Sequence, residues 1–145
     1  MAVEALPRID CACASLRRAA RAVTQCYEAA LKESGLKVTQ FTLLQALSLL
    51  GGASPQSALV KFLAIDATTL SRTLRPLALA GWIRVVDGAD ARETRWQLTP
   101  EGQRKVQRTR PAWERAQRRL RARLGKKTWT LLLEDLATVA AAAQE

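Results

Sequence analysis

The stretch "DATTLSRTLRPLALAGWIRVVDGADARETRWQLTPEG", residues 66–102, decides the fold of this chain of 145 residues. Its first part predicts a helix capped by Asp66, because an aspartate side chain accepts the free N–H groups at a helix start. Leucines at 70, 74 and 77 recur at helical spacing and predict the side that faces the core. After Gly81, the segments "WIRVVD" and "ETRWQL" predict a β-hairpin.

Pro76 interrupts this helix, where a proline removes a backbone hydrogen bond at a cost of ~3 kcal/mol. The helix either stops at Arg75 or bends and continues. The apolar pattern runs on from Leu77 to Ala80, so we favour a bent helix that ends at Gly81.

Helical patterns also precede and follow this stretch. Asp10 and Thr39 are expected to cap the first two helices, and Pro55 is expected to open the third at its first position. The expected helices run from Asp10 to about Glu33, from Thr39 to Gly51, from Pro55 to Leu63, from Thr99 to about Leu124, and from Lys127 to about Ala143.

This order predicts a mainly α (α+β) fold: a winged helix-turn-helix with long N- and C-terminal dimerisation helices. We expect residues 1–145 to form one chain-long domain, with a DNA-binding lobe over 36–98 and dimerisation helices over 8–34 and 99–145. The flanking helices carry apolar stripes that need a partner, and a second copy of the chain is the simplest one.

The amino-acid composition favours some classes of function and excludes others. Lys and Arg number 23 against 13 acidic residues, giving a net charge of +10, and eleven basic residues fall within 104–127. Such an excess favours nucleic acid as partner, because neutralising phosphates releases condensed counterions. With no histidine and three cysteines, zinc fingers and histidine-dependent catalysis are excluded. We therefore predict no enzyme and no cofactor. The chain shows neither an apolar run of eighteen residues nor a signal-like start, and we expect a cytoplasmic protein with no membrane partner.

The outer side of the helix after Asp66 carries small hydroxyls and arginines, including Thr68, Ser71 and Arg72. Arginine can bond two acceptors of guanine, and threonine offers a hydroxyl and a methyl group to base edges. The same residues are ordinary on any solvated helix face. The preceding helix and short turn favour the DNA interpretation.

Residues of about 10–124 resemble MarR-family transcriptional regulators. The resemblance is carried by "GLKVTQFTLLQAL", "DATTLSRTLRPLALAGWI" and "DGADARETRWQLTPEG", the last matching the family pattern D-x-R…L-T-x-x-G at Asp90, Arg92, Leu98, Thr99 and Gly102.

The resemblance implies that Arg92, at the tip of the hairpin, enters a minor groove and that Asp90 orients it. A narrow minor groove concentrates negative potential and attracts arginine, whereas a solvated ion pair at a hairpin tip contributes under ~1 kcal/mol. The resemblance also implies a homodimer on a pseudo-palindromic operator of double-stranded DNA. The predicted DNA contacts are Gln56, Thr68, Thr69, Ser71, Arg72, Arg75, Asp90, Arg92 and Arg95.

The first helix, "IDCACASLRRAARAVTQCYEAAL", is similar to the branch of the family that senses organic hydroperoxides. The similarity implies a reactive Cys13 whose thiolate is bonded by Tyr27. Fourteen helical residues separate the two by ~21 Å, so they can meet only across a dimer. The helix start and Arg17 favour a thiolate. Arg17 replaces an expected tyrosine, Phe41 replaces another, and the long basic helix has no resolving cysteine.

Other interpretations of the cysteines stay open. Cys13 is also explained as a small apolar residue in the helix seam, and Cys11 with Cys13 could bind a soft metal if the helix end frays. A disulfide between them inside a regular helix is disfavoured. We expect a homodimeric repressor that is released by thiol oxidation or by a small ligand, and cysteines without any sensing role stay an alternative. The alternative function is a thiol-, metal- or ligand-responsive interaction module without sequence-specific DNA binding. A thiol peroxidase is disfavoured.

Overall fold

The structure is a computed structural model that describes residues 4–87 and 92–144. This part of the chain contains six α-helices and a small antiparallel sheet, which confirms the predicted winged-helix fold class. A single 3₁₀ turn, Lys32–Ser34, follows the first helix. The elements are α1 (Ala12–Leu31), α2 (Val38–Leu50), β1 (Ser54–Pro55), α3 (Gln56–Leu63), α4 (Ala67–Leu79), β2 (Ile83–Val86), β3 (Arg95–Leu98), α5 (Pro100–Leu124) and α6 (Lys126–Ala142).

The chain divides into two compact units. The terminal unit comprises Met1–Ala30 and Ala112–Glu145, and the central unit comprises Leu31–Pro111. The division falls inside α5, which runs without interruption through Pro111. Nowhere in residues 4–87 or 92–144 does a helix combine the length and apolar character needed to cross a membrane.

Large buried side chains from helices α1 to α5, most of them leucines, form the core of the central unit. Leu70, Leu74 and Leu77 of α4 are each at most 2% exposed, which confirms the predicted core side of this helix. Burying a leucine side chain contributes about 1.5–3 kcal/mol, so these three residues determine how α4 is oriented. The other fully buried large side chains of this unit are Leu31, Phe41, Leu43, Leu44, Leu47, Leu59, Val106 and Thr109.

The sheet has a third strand that the sequence did not predict. Ser54 pairs with Trp96 and Pro55 with Arg95, so β1 lies beside β3 in the order β1-β3-β2. The prediction that Pro55 is the first residue of a helix is therefore wrong. Pro55 has extended backbone angles (φ −65°, ψ 149°) and precedes α3, which begins at Gln56.

Two predicted helix caps are also corrected. The first helix begins at Ala12, the Cys11 carbonyl accepts its first hydrogen bond from the Ser15 N–H (2.9 Å), and Asp10 pairs instead with Arg8. Thr39 lies inside α2. At the start of this helix the Gln40 Oε1 accepts a hydrogen bond from the Lys37 N–H (3.0 Å). A side chain three residues into the helix thus does what a capping residue would do.

Thr99 and Gly102 join the hairpin to α5. The Thr99 hydroxyl donates to the Gly81 carbonyl (2.6 Å) and accepts from the Gly102 N–H (3.0 Å), while the Thr99 N–H donates to the Trp82 carbonyl (3.1 Å). A Cβ at Gly102 would lie 1.9 Å from the Trp82 carbonyl oxygen. The approach of α5 to the start of β2 therefore requires glycine at this position.

We predict that Gly102→Ala lowers the free energy of unfolding by about 1–3 kcal/mol or more, because the added methyl must displace the Trp82 backbone. Urea denaturation followed by circular dichroism measures the effect. Gln103→Ala, an exposed neighbour in the same turn, is the control and should unfold near the wild-type midpoint. Equal midpoints for the two variants would show that the junction adapts without cost.

Candidate nucleic-acid interface

The start of α4 is held by its cap. Asp66 accepts from the Thr69 N–H (2.8 Å) and from the Thr69 hydroxyl (2.6 Å), which confirms the predicted role of Asp66. The Thr69 hydroxyl, and then its N–H, lower the pKa of the Asp66 carboxyl. The carboxylate is therefore ionised at neutral pH, where it complements the positive end of the helix dipole.

The outward side of α4 presents the residues predicted to contact DNA. Thr68, Ser71, Arg72 and Arg75 are all exposed. Thr69 is exposed as well, but its hydroxyl proton is directed to Asp66 and its carbonyl accepts from the Thr73 hydroxyl at 3.1 Å. Thr69 can therefore offer a DNA base only its oxygen lone pairs and its methyl group.

Pro76 lies inside α4, and the helix continues to Leu79. This confirms the prediction that the helix does not stop at Arg75. The missing N–H of Pro76 leaves the Arg72 carbonyl without its usual helical donor, one turn beyond the polar residues at the helix start. Thr68 to Arg75 all precede Pro76 within this helix.

A groove runs between α3, α4 and the sheet. Gln56, the first residue of α3, extends its amide Nε2 to the Ser71 hydroxyl at 3.4 Å, which places a residue of α3 beside the polar side of α4. The groove has a volume of about 380 Å³. Its lining is Gln56, Ser71, Leu74, Arg75, Ala78, Leu79 and Trp96.

The hairpin, called here the wing, places its two predicted arginines differently. Arg92 is exposed in the turn that leads into β3. Arg95 points back to its own unit, where Nη1 donates to the Ala53 carbonyl at 3.3 Å. Asp90, the predicted partner of Arg92, lies outside the described residues.

Two further residues of the wing were not identified from the sequence. Arg84 of β2 is exposed and donates to the Gln97 side chain on the opposite strand at 3.2 Å. Glu93 accepts from the Ser57 N–H, in the first turn of α3, at 3.1 Å. Hydrogen bonds from the side chain and backbone of Ser57, followed by the charge of Arg95, lower the pKa of Glu93. No local sequence pattern could predict this hydrogen bond, because 36 residues separate its partners.

The predicted sensing residues lie in the terminal unit. Cys11 and Cys13 are exposed free thiols at the start of α1, and Arg17 is exposed one turn further on. Tyr27 is buried, and its hydroxyl donates to Gln117 Oε1 of the same chain at 2.5 Å. Burial, and secondarily Cys26, raise the pKa of Tyr27. In residues 4–87 and 92–144, no group of three or more cysteine, aspartate or glutamate side chains could hold a metal ion.

Behind α4 lies a cavity of about 230 Å³. No charged side chain is among its lining residues, which are Val38, Thr39, Thr42, Leu43, Leu63, Ile65, Thr69 and Thr73. Thr69 and Thr73 make this cavity adjacent to the helix that carries the candidate DNA contacts.

The MarR family model matches residues 34–93. The M. tuberculosis transcriptional regulator MosR, solved in complex with DNA, is 38% identical and aligns with a TM-score of 0.84 over 93% of this chain and 97% of MosR. A probable transcriptional regulator from Pseudomonas aeruginosa is 26% identical, with a TM-score of 0.79 over 90% of this chain and 97% of that protein.

PcaV from Streptomyces coelicolor, solved with its natural ligand, has a TM-score of 0.83 at 22% identity over 97% of this chain and 99% of PcaV, and supports the fold alone. No significant match is found among curated proteins.

The family model matches the helix-turn-helix and part of the wing, and the similarity to MosR extends over nearly the whole of both chains. Regulators of this kind bind DNA and catalyse no reaction, which confirms the prediction that the chain is not an enzyme. The fold and the sequence of this chain are similar to those of these regulators, and its α4 exposes a polar side. The chain therefore belongs to the MarR family of DNA-binding transcriptional regulators.

Proposed function

We propose that the chain is a homodimeric repressor that binds a pseudo-palindromic operator with α4 in the major groove and Arg92 in the minor groove. The observation that carries the proposal is the exposed polar side of α4 beside the wing in one compact unit. MosR, whose structure contains DNA, supports it. In this proposal residues 36–98 are the DNA-binding lobe, and residues 8–34 and 99–145 form the dimer.

Exposed apolar side chains in the terminal unit support dimerisation. Leu131, Leu133, Leu136 and Val139 of α6 are between 39% and 51% exposed in the single chain, and Leu16 and Val23 of α1 are similarly exposed. Apolar side chains that remain exposed on two helices favour a protein partner. A second copy is the partner proposed, because two identical lobes match the two halves of a palindrome.

Oxidation of Cys13 is the release mechanism proposed first. Cys13 is an exposed free thiol in the first turn of α1, and the exposed Arg17 lies one helical turn further on. Attack on a hydroperoxide forms a sulfenic acid on the sulfur and releases an alcohol. To donate a hydrogen bond to the partner's Cys13, the Tyr27 hydroxyl must first break its hydrogen bond to Gln117. A cytoplasmic location belongs to this proposal, since it keeps the thiols reduced at rest.

A small ligand is the second release mechanism. PcaV was solved with its natural ligand, and the cavity behind α4 supplies a volume of about 230 Å³ in this chain. Its uncharged lining suits an uncharged apolar molecule, because a buried carboxylate without a partner is costly. Ligand and oxidant are separated by testing release with the thiols blocked.

The DNA contacts are tested on a duplex selected from a random pool. We predict that Arg72→Ala and Arg92→Ala each weaken binding to that duplex by about 1–3 kcal/mol and relax sequence preference at the contacted base pairs. Fluorescence anisotropy at several salt concentrations measures both. Lys127→Ala, which removes a charge from α6, should retain wild-type affinity. A wild-type chain that prefers no duplex over random DNA would favour the interaction-module alternative.

The dimer is tested by placing a charge on α6. We predict that Leu136→Glu gives monomers in sedimentation velocity and lowers affinity for the palindrome about a hundredfold, because the two half-sites are no longer bound together. Leu49→Glu is the control, since Leu49 is 77% exposed on α2 of the central unit. A dimer that survives Leu136→Glu would place the interface elsewhere.

The thiol switch is tested with cumene hydroperoxide in electrophoretic mobility shifts. We predict that the oxidised wild type loses most of its DNA affinity, that Cys13→Ser does not respond, and that Cys26→Ser responds like the wild type. Mass spectrometry of the treated protein identifies the oxidised sulfur. Full DNA affinity in a protein shown to be oxidised at Cys13 would rule out this switch.

A further inference from the structure

We propose that Glu93 is a positioning residue for DNA recognition, which fixes the wing to the first turn of α3 and so sets where Arg92 lies relative to α4. The inference rests on the proposed function, because it takes Arg92 and α4 as the groups that contact DNA. Glu93 itself touches neither base nor phosphate in this proposal.

Besides the pairing of β1 with β3, three hydrogen bonds among the described residues fasten the stem of the wing to the segment before α3 and to the start of α3. The Ser57 N–H donates to Glu93 Oε1 (3.1 Å), and the Gln56 N–H donates to the Thr94 carbonyl (3.0 Å). Arg95 Nη1 donates to the Ala53 carbonyl (3.3 Å). Only the bonds of Glu93 and Arg95 use a side chain of the wing, so they are the ones that the amino-acid sequence of the wing controls.

Helix α3 lacks an acceptor of its own for its first N–H groups. The residue at its cap position is Pro55, which makes no side-chain cap hydrogen bond, and its first turn contains no acidic residue. The first N–H groups of a helix need an acceptor from outside and favour a negative charge. The Thr94 carbonyl accepts from the Gln56 N–H, and Glu93 supplies the acceptor for the Ser57 N–H together with a negative charge. The unpaired N–H groups at the start of α3 therefore contribute to where the wing lies.

Glu93 adjoins Arg92 in sequence, one residue from the proposed minor-groove contact. A carboxylate bonded to α3 restricts the backbone that carries Arg92, and the bonds from Ser57, followed by the charge of Arg95, lower the pKa of Glu93. The same helix-turn-helix carries α3 and α4. Glu93 thus relates the wing arginine to the helix that contacts the major groove.

Whether substitution of Glu93 weakens or tightens DNA binding distinguishes a positioning role from a simple effect of its charge. Removing an acidic side chain from a protein with a net charge of +10 should, by electrostatics alone, tighten its binding to DNA. Loss of positioning has the opposite effect on the preferred duplex. Glutamine separates the two contributions, because its amide oxygen can still accept from Ser57 while its charge is zero.

The experiment compares Glu93→Ala, Glu93→Gln and the control Asp87→Ala, which removes an exposed acid from the other side of the wing. On the selected duplex we expect Glu93→Ala to bind about tenfold more weakly, a loss of the size expected when one groove-reading side chain is misplaced. Glu93→Gln and Asp87→Ala should bind like the wild type or more tightly. Affinity for random DNA should fall in none of the three.

A second measurement does not depend on DNA. Amide hydrogen exchange of the Ser57 N–H should accelerate in Glu93→Ala and stay near the wild-type rate in Glu93→Gln, with helical circular dichroism unchanged in both. Wild-type affinity of Glu93→Ala for the selected duplex, or unchanged Ser57 exchange, would overturn the inference while leaving the proposed function intact. A wild-type chain without a preferred duplex would overturn both.

Discussion

Burial of one side of α4 is the constraint on which the recognition surface depends. Leu70, Leu74 and Leu77 are almost completely removed from solvent, and a helix that buries these positions must turn its opposite side outward. Thr68, Ser71 and Arg72 are exposed for that reason alone. The hydrophobic effect, which has no preference for any DNA sequence, thus creates the surface that can read one.

The wing is held in place mainly by hydrogen bonds, in contrast to α4, which is oriented by its buried leucines. The wing is a short hairpin, and a hairpin of this size is marginally stable by itself. It gains a third strand from Ser54 and Pro55, a junction to α5 through Thr99 and Gly102, and a bond from Glu93 to α3. Each attachment uses backbone N–H or C=O groups that need hydrogen-bond partners. The same hydrogen bonds therefore pair these backbone groups and hold the wing in place.

Lys105 adds a contact between this junction and the turn after α1. Its ammonium group lies 4.7 Å from the centre of the Trp82 ring and donates to the Ser34 carbonyl. The Trp82 backbone in turn meets Gly102 and Thr99. Trp82, the residue directly before β2, is therefore held through both its side chain and its backbone.

The sequence by itself determined the helix order, the cap of α4, its leucine core and its polar outer side, because these depend on periodicity and on contacts a few residues apart. The family pattern at Leu98, Thr99 and Gly102 also located the junction, although not its physical cause. Tertiary structure decided the two-residue strand β1, the inward turn of Arg95, the Tyr27 bond to Gln117 and the role of Glu93. A strand of two residues has no period to detect, and the other three are bonds between residues 36 to 90 positions apart, whose partners are chosen by how the helices pack.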